Sequence, residues 1–413
     1  MRLSHFSKTG HPPTLFSAFL YFDISFMVWV LMGVLGVHIA KDFGLSATQK
    51  GLLVAIPILG GALVRIPMGI LVDRIGPKKT GVIGQLLVMF PLIGAWLFAS
   101  QLSSLLAFGL FLGIAGGSFA VALPLASRWY PPQYQGMALG IAGAGNSGTV
   151  LASLFAPRLA EMFGWKTVFG FALIPVAITL LLFTLLAKES PNLPQPKRWW
   201  AYLDLFKELD TLWFCFFYSI TFGGFVGLAS FLGIFFHDQY GLSKIAAGNF
   251  TALCVFAGSF ARPLGGYLAD RFGGMTMLTF LYSAIALVMF GTSWLLPLSW
   301  TLPLLVIGMA LLGMGNGSVF QLVPQRFQKE IGVITGIVGA AGGLGGFFLP
   351  TLLGFFKDTV GSYGVGFLVF AFVGLAALII LRMIQREWTF SRLLPKFPVE
   401  FKAQMVFEPV EKR

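Results

Sequence analysis

One pattern occurs twice in this chain, 197 positions apart. Residues 51–76 and 248–273 each begin with glycine and run through an apolar stretch into a lone arginine, Arg65 and Arg262. Each continues to a glycine, Gly69 and Gly266, and ends in Asp73-Arg74-Ile75-Gly76 or Asp270-Arg271-Phe272-Gly273. A duplicated unit of this kind restricts the fold to two similar halves. A cation inside an apolar helix costs several kcal/mol and marks a functional site by default. Two of them at matching positions read as one anion site built from both halves.

The setting of the repeats is a membrane. Charged residues make up 11% of the chain and hydrophobic ones 57%, against roughly 25% charged in ordinary globular proteins. Apolar stretches long enough to cross about 30 Å of hydrocarbon recur throughout. They predict an all-α protein of twelve transmembrane helices at about 14–37, 48–72, 80–99, 103–127, 136–158, 166–187, 211–236, 245–269, 275–296, 301–324, 332–356 and 363–384. A barrel is disfavoured because the apolar runs are continuous rather than alternating. The first run is too long for the core of a cleavable signal and reads as helix 1.

The net charge of +12 suggests nucleic acid only until it is mapped. With both termini cytoplasmic, twenty of the 28 Lys and Arg fall on the cytoplasmic side and six outside, with Arg65 and Arg262 between. That asymmetry follows the positive-inside rule for a multi-pass protein of the cytoplasmic membrane. Cys215 and Cys254 form no metal or redox motif and read as apolar filler. No metal-ligand cluster or nucleophile–base pairing suggests an enzyme, and no cofactor is expected.

The longest polar connection lies midway, with Pro191, Pro194, Pro196 and a Trp199–Trp200 pair. It divides the chain into a six-helix bundle over 1–187, a cytoplasmic linker over 188–210, and a second six-helix bundle with a short cytoplasmic tail over 211–413. Further matches extend the repeat, among them Gly117-Ser118 and Pro124 with Gly317-Ser318 and Pro324. Parallel six-helix repeats with a site between them describe a major facilitator fold. Gly69 to Lys79 resembles the loop between helices 2 and 3 of that superfamily. Asp73 and Arg74, with Asp270 and Arg271 as their counterparts, are candidates for a cytoplasmic latch.

Each arginine lies eight residues from its aspartate, or roughly 12 Å inward at 1.5 Å per residue. Both therefore reach the middle of the bilayer. Of sixteen acidic residues only Asp23 falls well inside an apolar segment, so the arginines lack sufficient carboxylate partners. Two guanidinium forks suit a small planar anion. Helices 5 and 11 carry glycine runs that include Gly140, Gly143 and Gly145 in one and Gly336, Gly339 and Gly343 in the other. Such density lets neighbouring backbones approach and slide.

These two runs resemble the paired signatures of the nitrate/nitrite porter family of major facilitators. Gly315-Asn316-Gly317-Ser318-Val319-Phe320 and Phe22-Asp23-Ile24-Ser25-Phe26 are also similar to that family. The resemblance covers all twelve helices. It implies that Arg65 and Arg262 clasp nitrate or nitrite, with Phe119 and Phe320 on either side. It suggests Tyr218 as a hydroxyl donor, and Asn146 is a similar amide candidate. Asp23 is either a proton carrier or a fixed counter-ion or hydrogen-bond partner between helices. Accordingly, both proton symport and nitrate/nitrite exchange remain open. His38 and His237 read as interfacial. A porter for formate or cyanate is the nearest alternative. A non-transporting anion receptor is disfavoured by the short tails, and a monomer is expected.

Overall fold

The computed structural model describes residues 8–191, 204–327 and 331–393. The proline-rich centre of the predicted linker, including Trp199 and Trp200, and most of the predicted tail lie outside the described residues.

The first six helices begin with α1, divided into Pro12–Trp29, Leu31–Val34 and Gly36–Phe43. Next come α2 (Ala47–Ile75) and α3 (Pro77–Phe98). Helix α4 comprises Leu102–Leu112, a 3-10 turn at Gly113–Gly117 and Ser118–Ser127. Helix α5 comprises Pro132–Gly143, a 3-10 turn at Ala144–Ser147 and Gly148–Phe163, and α6 is Trp165–Leu186. The second six are α7 (Leu209–Tyr240), α8 (Lys244–Phe272), α9 (Gly274–Ser293), α10 (Leu298–Arg326), α11 (Ile331–Val360) and α12 (Gly364–Leu393).

Among the described residues, eleven helices are long and apolar enough to cross a membrane. The segmented α1 supplies the twelfth expected element. Outward-facing Phe90, Phe98, Leu185, Leu287 and Met383 are well exposed, as a lipid-facing shell requires. Several helices exceed their predicted bounds, α5 and α12 by the most. Apolar pattern marks the hydrocarbon span, whereas polar helix ends such as Asp210 and Gln239 extend beyond it without changing the backbone.

Local chemistry sets the joints. Ser46 caps α2 in a reciprocal box with Gln49. The repeated Gly76 and Gly273 have φ of 93° and 89°, a region that excludes most side chains. These glycines turn α2 into α3 and α8 into α9. The same repeat brings backbones together at Gly60 with Gly113 in the first half and at Gly258 with Gly313 in the second. Symmetry stops at α4 and α5, whose 3-10 turns have no equivalent in the unbroken α10 and α11. Glycine permits such a turn, but its presence alone does not impose one, because glycine-rich α11 stays regular.

Candidate functional site between the two halves

Arg65 is completely buried in α2. Its Nε donates to the Gly116 carbonyl in the 3-10 turn of α4 at 2.9 Å, and its Nη1 donates to the Gly339 carbonyl of α11 at 2.5 Å. Its charge is faced by three aromatic rings, Phe222, Trp29 and Phe119, at 4.6, 5.0 and 5.2 Å from their centroids. Such desolvated contacts stabilise a cation without neutralising it. Trp29 is held in place by its own hydrogen bond to the Pro57 carbonyl at 2.6 Å. Nη2 of Arg65 has no hydrogen-bond partner.

Arg262 of α8 is 4% exposed, and its Nη1 is likewise without a partner. Its guanidinium lies 5.4 Å from the same Phe119 ring. One aromatic ring thus serves both cations. Among the described residues, neither arginine forms a salt bridge. The Tyr218 hydroxyl is buried beside both arginines, within hydrogen-bonding reach of Arg262. Three donors therefore converge with no protein acceptor assigned to them.

The glycine runs explain how the cations reach each other's half. A Cβ on Gly339 of α11 would lie 3.3 Å from Cδ of Arg65, and one on Gly143 of α5 would lie 3.2 Å from Nε of Arg262. Each arginine crosses onto a glycine of the opposite half. Gly336 and Gly343 bring α11 onto α2 at the Arg65 carbonyl and at Ala62. Gly145 gives α5 its approach to Phe22, and Gly140 faces Pro263 with room to spare.

Phe119 and Phe320 come together edge to face at 5.2 Å, and Tyr218 meets Phe320 at 4.8 Å. With the rings in contact, an anion between them requires that they separate. Asn146 is buried, but its amide nitrogen, oriented to satisfy its surroundings, donates to Gly143 and Ala144 carbonyls at 3.2 and 3.3 Å. Among the described residues it makes no hydrogen bond to an arginine. Asp23 accepts from the Ser147 hydroxyl at 2.7 Å and from the Gly148 amide. It ties α1 to the turn of α5 rather than pairing with Arg65 or Arg262.

Asn316 was not assigned a role by the sequence reading, although it lies in the quoted α10 motif. It is buried with both amide atoms unpartnered, one helical turn from Phe320. The signal was a lone amide between two glycines in an apolar helix.

Among the described residues, contacts bridge the two halves on both sides of the arginines. At the end of the bundle remote from both termini, Lys50 of α2 pairs with Asp238 of α7 at 2.6 Å, and the Tyr363 hydroxyl donates to the same carboxylate at 3.0 Å. Asp358 of α11 accepts from the Ala47 and Thr48 amides at the start of α2, at 3.0 and 2.8 Å. These links join the two halves. At the opposite end Ile70 packs on Val333 and Ile337, and two ion pairs there each lie within one half. Asp73 binds Arg128 at 2.6 Å and Asp210 binds Arg326 at 3.6 Å. Asp270 and Arg271 are exposed, with Arg271 against Phe272, so the repeated aspartate–arginine motif is not used alike in the two halves. His38, expected at the interface, is instead buried between helices at 6% exposure.

The outer ion pair is partly exposed, and such a pair contributes up to about 1 kcal/mol. Asp238→Asn is therefore expected to raise outside access about threefold. In a variant lacking Cys215 and Cys254, the rate at which a membrane-impermeant maleimide labels Ala229→Cys from outside measures this; an unchanged rate would exclude the latch.

Comparison with known proteins places these features in context. Residues 17–350 match the family model described as Major Facilitator Superfamily. The Nitrite extrusion protein of Bacillus subtilis is 36% identical over 361 residues, covering 86% of this chain and 90% of that protein. The Probable nitrate/nitrite transporter NarK2 of Mycobacterium tuberculosis is 35% identical over 371 residues, covering 88% and 94%. A partially occluded inward-open structure of the xylose transporter XylE from E. coli superposes with a TM-score of 0.72 at 15% identity, covering 90% of this chain and 97% of that one. The last likeness concerns the fold alone.

Proposed function

The chain belongs to the major facilitator superfamily, and we propose that it carries nitrate and nitrite across the cytoplasmic membrane, with Arg65 and Arg262 as the clasp. It is a membrane transporter, not an enzyme. The observation that carries the substrate reading is the pair of buried guanidiniums, one from each half, each with a free nitrogen and no carboxylate. A planar oxyanion accepts from Arg65 Nη2, Arg262 Nη1 and the Tyr218 hydroxyl. Each charge-assisted bond contributes about 1.5–3 kcal/mol. The relatives' names support the same substrate class.

The clasp couples binding to closure. Two cations approaching in a dry site repel by on the order of a few kcal/mol. An anion between them removes that penalty, so the halves close around cargo and the loaded protein exchanges its outer opening for its inner one. The α2–α11 and α5–α8 contacts, with glycine on at least one side, are the surfaces that slide. The excess of basic residues on one set of connections supports a topology with both termini in the cytoplasm.

Exchange of nitrate for nitrite is the coupling we favour. Asp23 already receives two donors as a carboxylate, which supports a structural tie between α1 and α5 over a travelling proton. Proteoliposomes loaded with nitrite are expected to take up labelled nitrate, with unlabelled formate a poor competitor. A pH gradient alone is expected to drive no accumulation, and Asp23→Asn to retain exchange within about threefold. Gradient-driven accumulation that Asp23→Asn abolishes would establish symport instead; absence of nitrate and nitrite transport in either mode would overturn the function.

A further inference from the structure

A second polar cluster lies outward of the clasp, where four helices from both halves meet. A small cavity there is lined by His38 of α1, Ser153 of α5, Ser230 of α7, and Lys244, Gly248 and Thr251 of α8. It has room for about one water molecule. Both ring nitrogens of His38 and the hydroxyls of Ser153 and Ser230 are buried without hydrogen-bond partners. Their residues are 6%, 0% and 2% exposed. Buried polar groups in native proteins nearly always find a partner, so four such atoms around one cavity point to a ligand.

The cluster's chemistry selects an anion. Lys244 contributes three donors and a positive charge, the serines two hydroxyl donors, and His38 a ring N–H. No carboxylate lines the cavity. The charged and titratable groups acting on His38 are Lys244, Asp42, His237 and Lys41. The acids of this outer rim are engaged elsewhere. Asp42 accepts from the Trp165 indole at 2.7 Å, Asp238 holds Lys50 and Tyr363, and Asp358 caps α2. Lys244 has no hydrogen bond or salt bridge among the described residues.

The placement of Lys244 also speaks against a merely structural role. It is the first residue of α8 after the cap Ser243, whose hydroxyl accepts from the Ala246 amide at 3.2 Å. A cation at a helix N-terminus opposes the helix dipole and is mildly destabilising. Its replacement by a neutral residue therefore favours the helix.

We propose that His38, Lys244, Ser153 and Ser230 form an outer capture site for the transported oxyanion. Along α8, at 1.5 Å per residue, the site extends from about 17 Å (Thr251) to about 27 Å (Lys244) from Arg262. It takes the anion when the outer ends of the halves part and releases it inward to the arginines. In the closed conformation, its volume admits only water. The proposal rests on the porter function above.

Exchange measured from each face tests it. With saturating nitrite inside, Lys244→Gln is expected to raise the external nitrate concentration for half-maximal uptake about tenfold, the loss of roughly one charge-assisted hydrogen bond. The internal nitrite concentration for half-maximal exchange should stay within about twofold, as should the rate at saturation. Lys244→Arg is expected to behave as wild type and Lys244→Glu to be worse than Lys244→Gln. No change on the outer face, or equal changes on both faces, would overturn the capture site. Failure of the unsubstituted protein to transport nitrate would overturn the porter function itself, so the two outcomes are distinct.

Discussion

Arg65→Ala is expected to lower nitrate uptake at sub-saturating substrate by more than about 100-fold. The substitution removes a donor to the anion and a charge that attracts it. At about 1.4 kcal/mol per tenfold, the loss of one buried charge-assisted contact at 2–5 kcal/mol accounts for this factor. Arg65→Lys is expected to recover little. The guanidinium holds the carbonyls of Gly116 and Gly339 while leaving Nη2 free, and an ammonium lacks the planar fork needed to do all three. Among the described residues Arg262 holds no backbone carbonyl, so Arg262→Lys should lose less than Arg65→Lys, whereas Arg262→Ala should approach Arg65→Ala. Counterflow of labelled nitrate, with elution profile and circular dichroism as folding controls, measures the series. Arg65→Ala with uptake at low substrate within threefold of wild type would rule out the clasp.

Gly317→Val is expected to damage both fold and transport, while Gly140→Ala is tolerated. A Cβ at Gly317 would collide with the Arg262 carbonyl oxygen and stand 2.7 Å from the Gly266 amide nitrogen. Both neighbours are helix backbone, so α10 must move off α8 at the level of the clasp. Overpacking of this kind costs about 1–3 kcal/mol, with more for rigid neighbours, and it displaces the helix carrying Arg262. The thermal midpoint in detergent should fall by about 1–4 °C, with exchange lost. At Gly140, the nearest atom to an added Cβ is 3.9 Å away on Pro263, an ordinary contact, and exchange should remain within about twofold. Similar behaviour of the two variants would mean that the glycines set backbone flexibility rather than close approach.

The contrast between these glycines shows where sequence reading stops. Gly140, Gly143, Gly145, Gly336, Gly339 and Gly343 look equivalent as members of two runs. In the structure, Gly339 and Gly143 receive the opposing arginines, Gly343 meets Ala62, and Gly140 has room for a methyl group beside Pro263. Their spacing reports that a helix face is bare, but the object laid against it comes from a segment as far as 274 positions away. Asp23 behaves likewise. Its depth was legible, but its partners Ser147 and Gly148 depend on a 3-10 turn that glycine content alone does not predict.

The outer rim was least legible. Lys50, Asp238 and Asp358 stand at helix ends where charged residues are ordinary, and nothing local distinguishes an inter-half link from a solvated side chain. His38 appeared interfacial because it falls near the end of an apolar run, yet α1 continues through Phe43 and carries it into the contact between halves.

By itself, the sequence determined the membrane setting, the paired halves and the two buried cations. These follow from the transfer cost of each residue and from a repeat visible along the chain. Only the tertiary structure decided that each arginine crosses to a glycine of the other half, that polar links join the halves at one end and apolar contacts at the other, and that Asp23 serves a turn of α5. Such pairings are properties of surfaces brought together by packing, and no residue carries them in its own hydropathy or spacing.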